Sequence, residues 1–159
     1  MIAKYNGNYY YYIFNKRVSN IITNQQNKVS DDFFFEDGTF YKKVAFDELE
    51  EVFDVKYIVS YNAGVENVST EWEIANSARD VQDNCVLLRY SNGIIPGWKT
   101  EEKNVCIKYV DIRDISNARE ICIYKRKDND TLEYPKTDER KINASELISR
   151  MSSFRRDII

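Results

Sequence analysis

The sequence predicts a mainly β fold, a β-dominated α+β chain, and three observations predict it. First, 12 Tyr, 8 Phe and 2 Trp residues bring the aromatic content to 14%, and such side chains favour a pleated, half-buried surface. Second, six or more short apolar runs each end in turn residues, which is hairpin grammar. Third, one pattern occurs twice in order: a Tyr-Asn-Gly-type turn, a short apolar strand, then a strand running into an acidic segment. The first copy is Tyr5-Asn6-Gly7, Ile21-Ile22 and Phe40 to Leu49; the second is Tyr61-Asn62-Ala63-Gly64, Val86-Leu87-Leu88 and Ile107 to Ile115. Val44, Phe46 and Leu49 fall opposite Val110, Ile112 and Ile115. A repeat of this size indicates two small β modules in one chain.

The elements follow in order. Residues 2–14 read as a strand, with Tyr9, Tyr11 and Ile13 on one face and Tyr10, Tyr12 and Phe14 on the other. Asn15-Lys16-Arg17 is a polar turn, and Val18 to Thr23 a second strand. Residues 25–32 are a polar loop. Phe33-Phe34-Phe35 enters a hairpin through Asp37-Gly38, the dipeptide that supplies positive φ, and Phe40 to Val44 returns. Three consecutive Phe cannot all point inward from one strand, so at least one is expected against another element or a partner. Apolar Phe46, Leu49, Val52 and Phe53 suit one or two helical turns, with Asp47 as N-cap and Glu50 completing a capping box.

Val55 to Tyr61 opens the second copy, and residues 66–74 continue it. Residues 76–84 are a polar excursion and Cys85 to Tyr90 a central strand. Asn92-Gly93 and Pro96-Gly97 punctuate a loop that presents Trp98. Asn104 to Val110 is a strand, followed by an acidic segment at Ile112 to Ile115. Arg119 to Lys127 is a strand with a basic end, and Asp128-Asn129-Asp130 is a turn. Leu132-Glu133-Tyr134 returns before Pro135. Ala144 to Met151 is a short helix capped by Asn143 with Glu146 in its first turn, and the last eight residues fray. The expected architecture is two degenerate SH3-like β-barrel repeats, at 1–54 and 55–118. A C-terminal strand and helix tail occupies 119–159. A single larger twisted sheet is the alternative.

Composition bounds the chemistry. The chain has 159 residues and is 43% hydrophobic, enough for a core. There is no His, which removes the commonest general base and transition-metal ligand and excludes Ser-His-Asp and Cys-His machinery. Five Gly residues form no phosphate-cradling loop. Cys85, Cys106 and Cys122 lie far apart in apolar runs, a poor zinc set and better read as small hydrophobes. The N-terminus lacks a signal-peptide core and no run approaches a membrane span, so the expected location is the cytoplasm. The Asn-x-Ser/Thr triplets at Asn67, Asn129 and Asn143 then carry no glycosylation meaning. No catalytic residue, cofactor or metal ligand is assigned, and the chain is not expected to be an enzyme.

The strongest electrostatic feature is residues 31–54. Nine acids (Asp31, Asp32, Glu36, Asp37, Asp47, Glu48, Glu50, Glu51 and Asp54) face only Lys42 and Lys43, a local net charge of −7 within a chain of −3. Such a segment is either a solvated face or a docking surface for a basic partner. The candidate partner-binding residues are Asp31, Asp32, Glu36, Asp37, Asp47, Glu48, Glu51 and Trp98, the last as a loop aromatic of the kind enriched in hot spots or as a cap on its own module. The tyrosine run at 9–12 lacks the basic groove of a single-strand stacking platform, and Lys125-Arg126-Lys127 is too short for a nucleic-acid patch.

The opening Ile2-Ala3-Lys4-Tyr5-Asn6-Gly7, the block Tyr41-Lys42-Lys43-Val44 leading into Asp47-Glu48-Leu49-Glu50-Glu51-Val52, and Val55 to Tyr61 resemble small cytoplasmic immunity proteins of Gram-positive polymorphic toxin systems with LXG-type delivery domains. The resemblance spans roughly residues 2–125 and is one of pattern, with no invariant motif. It implies a protein that binds and occludes a cognate toxin domain, such as a nuclease, in the producing cell. Two alternatives stand beside it: an inhibitor of a host nuclease system carried by a phage, and an SH3-like peptide- or nucleic-acid-binding adaptor.

Overall fold

Turn residues with positive φ place the first strands. The computed structural model describes residues 1–15, 17–74, 81–82, 84–128 and 131–153. Asn6 (φ 48°) and Gly7 (φ 75°) reverse the chain between β1 (Ile2–Tyr5) and β2 (Asn8–Phe14). The expected single strand over 2–14 is therefore a hairpin, because two consecutive positive-φ residues make the primed turn that matches strand twist. The alternation within β2 is as read: Tyr10 and Tyr12 are buried, while Tyr9, Tyr11 and Ile13 are half-buried. β3 (Ser19–Thr23) follows, then β4 (Phe34–Glu36) and β5 (Thr39–Lys43), joined at Asp37 (φ 48°) and Gly38 (φ 77°).

Helical expectation fails over 47–53. Only Phe46–Glu48 form a turn, of 3-10 type, and Val52 and Phe53 belong to β6 (Glu51–Ser60). The single turn already satisfies the Phe46/Leu49 spacing. Beyond it, β6 pairs antiparallel with β1, Ala3 against Val52 and Ile2 against Phe53, so ladder bonds replace helical ones. The cap differs too: the Ala45 N–H donates to Glu48 Oε2 at 2.5 Å, and Glu50 instead accepts from the Gly7 N–H at 2.7 Å.

The remaining elements are β7 (Glu71–Ile74), β8 (Val81–Gln82), β9 (Cys85–Tyr90), β10 (Lys99–Glu102), β11 (Val105–Asp111), β12 (Asn117–Asp128), β13 (Thr131–Ile142) and α1 (Ala144–Ser153). Thus the fold is mainly β, with one α-helix among the described residues. β13 runs through Pro135, which the sequence reading took as a stop. β13 ends its strand order, and an edge strand tolerates a missing N–H. Asn143 caps α1 as expected, its Oδ1 accepting from the Glu146 N–H at 2.8 Å. The polar excursion at 76–84, the turns at Lys16 and at 129–130, and the final residues from 154 fall wholly or largely outside the described residues.

By contacts the chain divides into two compact units. Unit 1 holds 1–55, 122–138 and 152–159; unit 2 holds 56–121 and 139–151. The segment 119–159 is thus shared between the two. The sheet that contains β1 to β5 of unit 1 has the strand order β13-β12-β6-β1-β2-β3-β5-β4, an open path with β4 at its end. Its core gathers Ile2, Ala3, Tyr10, Tyr12, Ile21, Val44, Val52 and Phe53. Tyr12 Oη lies 2.9 Å from Ser19 Oγ, which donates to the Val44 carbonyl at 2.6 Å, so the buried phenol is satisfied.

In unit 2, β7 pairs with β6, and a separate sheet runs β10-β11-β9-β8. The two units share local order. In unit 1, β5 lies between β3 and β4; in unit 2, β11 lies between β9 and β10. β5 and β11 each lead into a 3-10 turn, Phe46–Glu48 and Ile112–Asp114. Leu49 N–H bonds Phe46 O at 3.1 Å, and Ile115 N–H bonds Ile112 O at 3.2 Å. Neither strand path closes into a barrel among the described residues.

Candidate partner-binding surface

The acidic segment divides into carboxylates that are used internally and carboxylates that point outward. Asp32 pairs with Lys42 and accepts from Ser30 Oγ at 2.6 Å. Hydrogen bonds from Lys42 and Ser30 hold its carboxyl below the usual range. The Lys42 ammonium itself lies 4.8 Å from the centre of the Tyr5 ring, so this pair is part of the aromatic packing. Glu50 takes the Gly7 N–H and, at 3.1 Å, Lys4; the Gly7 bond is the first cause of its lowered pKa. Asp54 meets Lys125 at 2.5 Å and the N-terminal amine at 3.6 Å. Glu48 holds the Ala45 N–H. Glu51 is half-buried at the start of β6, opposite Lys4.

Asp31, Glu36, Asp37 and Asp47 are exposed. Among the described residues no ion pair or side-chain hydrogen bond engages them. Three of these four flank or form the β4–β5 hairpin, which also exposes two aromatic rings: Phe34 is 49% exposed and Phe35 62%. Neighbouring residues of a strand face opposite ways, so the two rings lie on opposite faces of the hairpin. Each packs on its cross-strand partner. Phe34 and Tyr41 have ring centres 5.3 Å apart at 14°, and Phe35 and Phe40 4.7 Å apart at 46°. Phe33 is half-buried and packs against Tyr10 at 5.9 Å. The run of three Phe therefore resolves as one ring inward and two outward. The sequence reading named the acids as site residues and omitted Phe34 and Phe35, although the impossibility of burying all three was its available signal.

Trp98 does not belong to this surface. It lies in unit 2 and is only 8% exposed. Its ring packs on Trp72 at 5.2 Å and on Tyr61 at 6.5 Å, and its backbone N–H donates to the Ile95 carbonyl at 3.1 Å. Pro96-Gly97 turns the chain so that the indole folds back into its own unit. Of the two expectations for Trp98, a loop contact or a cap on its own module, the buried ring agrees with the cap.

Unit 2 carries an open groove of about 500 Å³ lined by Gly97, Lys99, Glu101, Ile107, Lys108 and Tyr109. Its charges are mixed, and Glu101 is held by Arg89 at 3.3 Å. Cys106 is buried, whereas Cys85 and Cys122 are half-buried. Among the described residues no group of three His, Cys, Asp or Glu side chains could hold a metal. No described helix is long and apolar enough to cross a membrane. Comparison with known proteins gives no match to any family model, curated protein or solved structure. The fold and surface define a class only: a β protein with an acidic, aromatic-bearing hairpin.

Proposed function

We propose that this chain is a stoichiometric binding protein that occludes a basic protein partner, acting as an immunity protein toward a cognate toxin domain. One observation carries the reading: outward carboxylates at Asp31, Glu36 and Asp37 surround exposed Phe34 and Phe35 on one hairpin. Aromatic anchors supply contact energy at interfaces, and clustered charge steers encounter. The resemblance to immunity partners of LXG-type toxin systems supplies the kind of partner. The shared local strand order of the two units supports a reading as two degenerate SH3-like repeats. Burial of Trp98 weighs against an adaptor that would use it as its contact.

The test is affinity purification from source-cell extract with the full chain as bait, followed by reconstitution with the recovered protein. A 1:1 complex with a basic, toxin-like protein, weakened by salt and abolishing that protein's activity, is the expected result. Recovery of nucleic acid, or of many proteins at low occupancy, sinks the proposal.

A further inference from the structure

The proposed function leaves open how the acidic surface engages its partner, and the β4–β5 hairpin supplies geometry for an answer. We infer that this hairpin is an insertion element that enters a basic cleft of the partner protein, with Phe34 and Phe35 against opposite walls and Glu36 and Asp37 toward its floor. The inference rests on the partner-binding reading above.

Three features carry it. The hairpin lies at the end of its sheet's strand order, so among the described residues no further strand of that sheet pairs with the outer edge of β4. Its exposed rings lie on opposite faces, and a flat partner surface could bury only one of them. A concave partner buries both, and its walls need stand only about 10 Å apart to admit a single hairpin with its side chains. Each ring already packs on Tyr41 or Phe40, so little rotamer freedom remains to be lost on binding.

Charge fixes the chemistry of the cleft. Glu36 and Asp37 sit at the tip, ahead of the rings, and both are exposed. Desolvating them is unfavourable unless cations receive them, so the floor of the cleft presents Lys or Arg. Asp32, Glu50 and Asp54 are already paired with this chain's own cations and would contribute less. The tip is rigidly presented, because Asp37 and Gly38 hold the primed turn. A cleft that binds polyanionic substrate by its phosphates would offer the same cations, so insertion of the tip would exclude that substrate by direct competition.

The experiment places the photo-crosslinker benzoylphenylalanine singly at Phe34, Phe35, Asp47 and Tyr109 of the full chain and irradiates it in soluble extract of the source cells. The adducts are identified by mass spectrometry, and the captured protein is then purified and its binding measured. The inference expects one protein captured from both Phe34 and Phe35, through segments rich in Lys and Arg. Phe34→Ala and Phe35→Ala should each weaken binding about tenfold, through faster dissociation. Glu36→Gln with Asp37→Asn, which keeps a turn-compatible residue at 37, should slow association about tenfold at low salt. Capture of a protein only from Asp47 or Tyr109 overturns the hairpin inference and leaves the binding function standing. Capture of nothing from any position overturns both. Adducts to a second copy of this chain, or binding unchanged in the Phe variants while circular dichroism shows them folded, also overturn the hairpin inference.

Discussion

Arg150 grips Glu120 through two parallel hydrogen bonds, Nε to Oε2 at 2.9 Å and Nη2 to Oε1 at 2.8 Å. Tyr57 Oη donates to the same Oε2 at 3.0 Å, and Arg140 lies 3.3 Å from Oε1. Glu120 is 3% exposed, so this fork anchors α1 to β12 and β6 within unit 2. Bidentate geometry of this kind is among the stronger charge-assisted contacts.

Removing the guanidinium takes two hydrogen bonds from a buried carboxylate and leaves it Tyr57 and Arg140. Loss of one partner of a fully buried pair costs about 3–5 kcal/mol. Arg150 is 35% exposed, so Arg150→Leu should cost less, about 2 kcal/mol. Both tryptophans, Trp72 and Trp98, lie in unit 2, so the urea midpoint followed by indole fluorescence reads this unit selectively. Replacing both residues, Glu120→Leu with Arg150→Leu, should recover part of the loss, since no buried carboxylate remains, although the buried Tyr57 hydroxyl then loses its Glu120 acceptor.

Acid should weaken the same anchor. Burial pushes the Glu120 carboxyl up, but the hydrogen bonds and charge of Arg150 outweigh it and hold the group below the ordinary value of 4.5. A depressed carboxyl binds fewer protons folded than unfolded, so stability rises with pH across that window. The contribution is complete above about pH 4.5 and fades as pH falls through the lower folded value. Asp111, held at about 2 by hydrogen bonds from Arg113, acts in the same direction. Urea midpoints of unit 2 should therefore fall on acidification below pH 4.5. In Glu120→Gln that decline should be shallower, and an unchanged slope would remove Glu120 as its cause.

Ser19 links the buried phenol of Tyr12 to the Val44 carbonyl. Ser19→Ala leaves both groups without that partner inside unit 1, at about 1–2 kcal/mol. Chemical denaturation followed by far-ultraviolet circular dichroism should show the loss. Ser19→Thr, which keeps the hydroxyl, should retain more stability than Ala.

The hairpin tip depends on backbone conformation alone. A Cβ at Gly38 would meet nothing within 4 Å, yet φ is +77°. Gly38→Val should therefore cost about 1–2 kcal/mol through strain. Hydrogen exchange over residues 34–43 should accelerate about fivefold or more, while exchange in β9 and β11 stays unchanged.

Trp98 offers a check on the packing of its loop. Iodide should quench the fluorescence of the folded chain weakly, because both indoles are buried. Trp98→Ala should cost about 3–5 kcal/mol of unit 2 stability, as expected for deleting a buried large aromatic. Strong quenching in the folded state would return Trp98 to the surface.

Local chemistry made much of the fold legible. The Asp37-Gly38 hairpin, the strand at Cys85 to Tyr90 and the Asn143 cap follow from turn, strand and cap chemistry that acts over a few residues. The matched positions Val44, Phe46 and Leu49, and Val110, Ile112 and Ile115, fall where the structure forms two 3-10 turns, Phe46–Glu48 and Ile112–Asp114. The helix over 47–53 was misread because spacing alone cannot tell one turn of helix from a turn followed by a strand. Pairing of Val52 and Phe53 with β1, over 40 residues away in sequence, decides that.

The surface was only half legible. Charge density along 31–54 is a property of the sequence, and it directed attention to the segment that carries the exposed hairpin. Which acids remain outward depends on where Lys4, Lys42 and Lys125 arrive, and only folding brings those cations to Glu50, Asp32 and Asp54. The sequence by itself determined a mainly β chain without histidine, its turns and its acidic stretch, because these rest on residue type and short-range geometry. Tertiary structure decided that Trp98 is core, that Phe34 and Phe35 face outward, and that Glu120 is a buried anchor. Burial and ion pairing are set by contacts between residues distant in sequence, and no local pattern encodes which distant residue will arrive.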